Sequence, residues 1–147
     1  MADLPKFASA ITTRSTGVKG TVLCGNQPAD DVKIRLYRIH TDDPYELLDY
    51  KTSSAINGKF ELEGHTAGRN ETVIEPFVRF YHRCDLNEKK KGFRTFGMKF
   101  SKEFVTVGRF SRRPYDVGTI NLEVIYPKEK HVKEFQEQPV PTFDTFA

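Results

Sequence analysis

The amino-acid sequence predicts an all-β fold, an antiparallel β-sandwich of seven to eight short strands with at most one short helix. Apolar and polar residues alternate in run after run, which is the two-residue period of a pleated strand. Turn-forming clusters such as Gly25-Asn26-Gln27-Pro28, Thr41-Asp42-Asp43-Pro44 and Asn57-Gly58 separate those runs at short intervals. With 147 residues, 12 Phe and 6 Tyr but no Trp, the chain is sized for one domain with an aromatic core.

Residues 1–16 lack periodicity and read as a flexible leader, ahead of a sandwich over residues 17–126 and a Pro- and Phe-containing tail over 127–147. From Gly17 to Cys24, Val18, Val22 and Cys24 share one parity while Lys19 and Thr21 point the other way, which is a strand. Asp31 to Ile39 alternates most cleanly. Val32, Ile34 and Leu36 lie on one side and Lys33, Arg35 and Tyr37 on the other, predicting one face on the core and one in water. Leu47 to Ser53 is a short third strand. Asn57-Gly58 then predicts a tight hairpin turn into Phe60 and Leu62, which alternate with Lys59, Glu61 and Glu63.

After a loop over residues 64–70, Pro76 to Cys84 sets Val78, Phe80 and Cys84 against Arg79, Tyr81 and Arg83. A charged hairpin loop, Leu86 to Lys91, leads to Phe93–Phe100, which gathers Phe96, Met98 and Phe100 on one side. Lys102 to Val107 fits either a short helix or an extended piece. Tyr115 to Tyr126 is the closing strand, with Ile120, Leu122 and Val124 on its oily face. The tail beyond it is either mobile or docks its aromatics on a neighbour.

No stretch approaches the roughly 18 consecutive apolar residues needed to cross a bilayer as a helix. Met1 to Ala10 carries an early acid and a Pro where a secretory signal has an apolar run, so the chain reads as cytosolic or as a mature form supplied with a start Met. Two features favour the second reading: Cys24 and Cys84 are the only cysteines, and Asn70-Glu71-Thr72 is a glycosylation acceptor at Asn70.

Five segments taken in order resemble the nematode transthyretin-like family: V-K-G-T-V-L-C at 18–24, D-V-K-I-R-L-Y at 31–37, N-G-K-F-E-L-E-G at 57–64, F-V-R-F-Y-H-R-C at 77–84 and Y-D-V-G-T-I-N-L-E-V at 115–124. The resemblance implies the transthyretin, or prealbumin, sandwich and a secreted, extracellular protein. It also implies a binding role, the best-supported one being a bridge between anionic phospholipid such as phosphatidylserine and a cell-surface receptor. Cys24 and Cys84 form either one disulfide or two buried thiols, and the resemblance favours the disulfide. Many members of the family carry further cysteines that this chain lacks.

Charge is unevenly spread. Between Arg79 and Arg113 stand eleven Lys and Arg against three Asp and Glu, while the whole chain carries only +3. Lys89, Lys90, Lys91 and Arg94 sit at one loop, and Arg109, Arg112 and Arg113 at another, with Phe93 and Phe110 beside them. If both loops emerge at one end they make a site for phosphate or sulfate groups on an anionic membrane; otherwise they are solvated loops. A basic patch without a recognisable nucleic-acid module argues against a nucleic-acid partner. A carrier role, holding a small apolar ligand or peptide between the sheets, is the alternative to bridging.

The transthyretin fold also hosts hydroxyisourate hydrolases, which use His and Arg in a central channel and end in Tyr-Arg-Gly-Ser. Here the last residues are Asp144-Thr145-Phe146-Ala147, and His40, His65, His82 and His131 stand in unrelated contexts. No zinc-ligand spacing, nucleophile elbow or phosphate-binding Gly loop is present in the sequence, so no catalytic residue, metal or cofactor is predicted.

Overall fold

Strand β1 (Arg14–Cys24) is apolar on one side and long enough to pair with four others, and it sets the layout of the first sheet. The computed structural model describes residues 12–143. One edge of β1 takes β5 (Lys59–His65) antiparallel, with Val18 opposite Leu62, and β2 (Gln27–Pro28) at its end. The other edge takes β8 (Val105–Val107) antiparallel at its start and β9 (Tyr115–Asn121) along the rest. The second sheet contains β3 (Lys33–Tyr37), β4 (Leu47–Thr52), β6 (Phe77–His82), β7 (Phe93–Lys99) and β10 (Lys130–Val132), in the order β10-β7-β6-β3-β4.

The two sheets close on the residues whose parity marked them as inward. Val18, Val22, Ile34, Leu36, Phe60, Leu62, Val78, Phe80, Phe96, Ile120 and Leu122 are all buried in one cluster. Through its centre runs an aromatic stack: Phe60 meets Phe80 edge-on at 5.6 Å, Phe80 lies on Phe96 at 5.0 Å, and Phe96 on Tyr126 at 4.6 Å. Each such side chain contributes about 2 kcal/mol or more by leaving water. Cys24, at the end of β1, is bonded to Cys84, just past β6, so a disulfide ties the two sheets together.

Ten strands are present among the described residues where seven to eight are expected, the difference being β2, β8 and β10, which are only two or three residues long. Pairing is antiparallel throughout the described residues except between β1 and β9, which run parallel. The first described strand starts three residues earlier than the alternation suggests: Arg14, Ser15 and Thr16 already pair with β8. The rest of the predicted leader, up to residue 11, lies outside the described residues.

Lys102 to Val107 turns out to hold both readings, a 3-10 turn at Lys102–Phe104 capped by the Ser101 hydroxyl, then β8. Asn57-Gly58 does not make a hairpin. β4 and β5 belong to different sheets, and the turn carries the chain across the sandwich with only Gly58 at positive φ, +73°. A side chain at 58 would overlap the Val22 carbonyl.

The closing strand stops at Asn121 rather than Tyr126. The Asn121 side chain accepts from the Gly25 and Glu123 amides, both at 3.1 Å, and the chain turns there. Val124 is consequently exposed while Ile120 and Leu122 reach the core.

The largest departure concerns the outer face of the second sheet, where the alternation in β3 predicts contact with water. Arg35 is 5% exposed and Tyr37 is fully buried, because the C-terminal tail lies over them. Phe135 packs on Tyr81 at 4.9 Å, the Arg35 guanidinium stacks on Phe135 at 4.1 Å and donates to the Gln136 carbonyl, and Val140 joins Tyr37, Leu47 and Phe77. The tail docks on its own domain.

Replacing both Cys24 and Cys84 with Ala removes a cross-link spanning 60 residues of chain. It is expected to lower the unfolding free energy by about 4 kcal/mol in urea denaturation. His82 is 1% exposed, and burial, helped by nearby Arg94, lowers its pKa to about 4. The unfolded chain therefore binds a proton that the native chain refuses, and stability should fall by about 3 kcal/mol between roughly pH 6.5 and pH 4. A pH series of urea melts checks this, and His82→Gln should flatten that part of the curve.

Candidate functional site

The β8–β9 loop, residues 108–114, is built to project. The Gly108 amide donates to the Thr13 carbonyl at 2.8 Å, and the Arg112 amide to the Thr106 hydroxyl at 3.3 Å, so the two halves of the loop are pinned to the residue just before β1 and to β8. Between these anchors Phe110 is 77% exposed, with Arg109 and Arg112 exposed beside it and Val107, 65% exposed, at the base. An unshielded Phe costs free energy in water. Arg113 is partly engaged, since its guanidinium lies 4.9 Å from the Phe104 ring and 3.8 Å from the Glu103 carboxylate.

The β6–β7 loop, residues 83–92, is organised differently. The Arg83 guanidinium bonds the Gly92 and Lys90 carbonyls from inside the loop, and the Asn87 side chain accepts from the Lys89 amide. Lys89, Lys90 and Lys91 are thereby left exposed, with no aromatic at the tip: Phe93 packs on Phe135 at 5.7 Å.

The seven basic residues do not form one site. The β8–β9 loop is bonded to Thr13, just before the first residue of β1, whereas the β6–β7 loop follows Cys84, which is joined to the last residue of β1. Eleven residues of strand separate these points; at about 3.3 Å each that is on the order of 33 Å, several times the ~8 Å screening length of physiological salt.

Arg94 leaves the candidate set altogether. It is 8% exposed and donates to both carboxylate oxygens of Glu129, at 2.8 and 2.9 Å, and to the Cys84 and Val124 carbonyls. Its guanidinium clamps the tail to the core, with four of its five N–H donors used in these bonds, and is not presented to an incoming anion.

Asn70 is exposed on the loop between β5 and β6, while Thr72 is buried and its hydroxyl accepts from Arg14 at 2.7 Å. The histidines are dispersed. His82 is buried with Nδ1 accepting from the Cys84 amide, His40 stacks on Phe77 at 4.3 Å, and His65 lies at the end of β5 and His131 on β10.

Sequence reasoning did not find the ion-pair network that fixes one end of the sandwich. Arg38 and Arg69, both buried, converge on Glu46, and Arg69 also donates to the Tyr45 and Leu47 carbonyls. Nothing in the spacing of these residues marks them, since they come from three separate turns.

Residues 19–100 match the model of the Transthyretin-like family. Among curated proteins, Transthyretin-like protein 46 of Caenorhabditis elegans is 38% identical over 84% of this chain and 68% of its own length. Transthyretin-like protein 33 of the same organism is 33% identical over 83% of both chains, and Transthyretin-like protein 5 is 34% identical over 84% of this chain and 86% of its own.

Because the two basic loops are far apart, their effects on binding to an anionic surface should be independent. Lys90→Glu and Arg112→Glu are expected to be additive in the double variant to within about 0.5 kcal/mol, measured as partition coefficients onto anionic vesicles.

Proposed function

The chain belongs to the transthyretin-like family, and from that premise we propose that it is an extracellular binding protein that recognises anionic phospholipid through its β8–β9 loop and bridges it to a cell-surface receptor. The observation that carries this reading is Phe110, 77% exposed between the exposed Arg109 and Arg112. An aromatic that inserts at the headgroup level and cations that pair with phosphate or carboxylate are complementary requirements of a peripheral membrane contact. Each basic residue near an anionic surface is worth about 1 kcal/mol.

The separation of the two loops suits a bridge, because a membrane held at one end leaves Lys89, Lys90 and Lys91 at the other available to a second partner. The Cys24–Cys84 disulfide supports residence in an oxidising compartment, and exposed Asn70 is the proposed glycan acceptor there. A carrier role fits less well. The space between the sheets is filled by Phe60, Phe80, Phe96 and Tyr126 in mutual contact, which favours a ligand on the surface.

Liposome sedimentation tests the proposal. Vesicles of phosphatidylserine in phosphatidylcholine should bring down the protein at low salt, with Phe110→Ala and Arg112→Glu each reducing the bound fraction about fivefold. Equal recovery on neutral vesicles, or no effect of either substitution, overturns it.

A further inference from the structure

The outer face of the second sheet carries a cleft of about 320 Å³ that neither loop touches. Its floor is the Phe77 ring. Gly97, opposite Arg79 in the register of β6 and β7, has no side chain, and a Cβ there would overlap that ring. The absence of a Cβ lets Phe77 lie flat against the sheet, where the His40 imidazole stacks on it at 4.3 Å and the Arg79 guanidinium sits 5.0 Å from its centroid. Lys99, Lys128 and Lys130 complete the wall.

The turn before β10 brings two of these charges to this face. In the segment Lys128-Glu129-Lys130, with Lys128 at positive φ and Lys130 opening β10, Glu129 turns inward to Arg94, while both lysines line the cleft with Arg79. The only carboxylate of that segment is therefore removed from the neighbourhood of its two cations. Among the described residues no Asp or Glu lines the cleft, and the side chains of Arg79, Lys99, Lys128 and Lys130 have no hydrogen bond or ion pair there. The Nε of Arg79 is moreover out of contact with water and has no acceptor. A buried N–H without a partner is costly, and a site that keeps one is short of an acceptor.

We propose that this cleft binds a phosphate or sulfate ester, with the oxyanion seated against Arg79 and between Lys99, Lys128 and Lys130. Four basic side chains around one cleft suit a multiply charged tetrahedral anion better than a single carboxylate. The cleft also has room for the organic part of an ester beside the His40–Phe77 stack. His40 reports the same field: its pKa is lowered by burial and then by Lys99, Arg79, Lys128 and Lys130. An anion bound among those groups would raise it again.

The site is separate from the β8–β9 loop, and the test keeps the two apart. NMR of the full chain follows the Arg79 Nε–H and His40 ring resonances during titration with inorganic phosphate, against sodium chloride at equal ionic strength. In parallel, vesicles containing phosphatidic acid, which presents a phosphomonoester, are sedimented with the protein. Phosphate should shift both resonances saturably, and Lys128→Gln with Lys130→Gln should weaken that response roughly tenfold or more. Both lysines are exposed, so the double variant should fold, and Phe110→Ala should leave the response unchanged.

Recovery on vesicles that is lost in the lysine double variant identifies a lipid headgroup as the source of the phosphate, and a response to free phosphate alone identifies a soluble ester. No saturable shift with phosphate together with no lysine-dependent recovery on vesicles overturns the proposal, as does an undiminished response of the double variant to both. Failure of phosphatidylserine binding through Phe110 would leave the Arg79 response intact.

Discussion

The architecture depends on the backbone hydrogen bonding of β1. A strand eleven residues long offers two full edges of donors and acceptors, and burial demands that both be used. β5 and β2 take one edge; β8 and β9 divide the other. Because β8 occupies only the first three positions, the chain must leave the sheet and return before it can continue along the same edge as β9. The projecting loop with Phe110 is that detour. The candidate membrane contact is thus a consequence of how the sheet satisfies its own edge.

The hydrophobic parity of β1, β3, β5, β6 and β7 was legible because a strand with one buried face must alternate, and Val18, Ile34, Leu62, Phe80 and Phe96 all lie where alternation puts them. What alternation cannot report is which strands share a sheet. Asn57-Gly58 satisfies local turn chemistry equally well whether the next strand pairs with its predecessor or crosses to the other sheet. It also cannot tell a polar residue in water from one under a roof. Arg35 is buried by contacts with residues about a hundred positions later in the chain, and its long apolar stem tolerates that environment once the guanidinium is stacked and bonded.

The candidate site was legible in part for the same reason. Exposure of Phe110 and of Lys89, Lys90 and Lys91 follows from short, charged loops. The fate of Arg94 does not, because Glu129 lies 35 residues away in a tail with few strand signals. A run of basic residues therefore mixed solvated charges with one structural clamp, and only the partner's position sorted them. The turn that sends Glu129 inward leaves Lys128 and Lys130 outside, so that one short segment both locks the tail and makes the cleft basic.

The roof over the second sheet has a bearing on biosynthesis. Synthesis proceeds from the N-terminus, so β3, β4, β6 and β7 emerge and can pair long before residues 130–143 exist. Until the tail arrives, Tyr37, Tyr81 and Phe77 form an unprotected aromatic face on a sheet whose other side is already seeking its core. Such an intermediate is a surface for chaperones and for self-association, and the protein's exposure to both ends only when its last described residues dock.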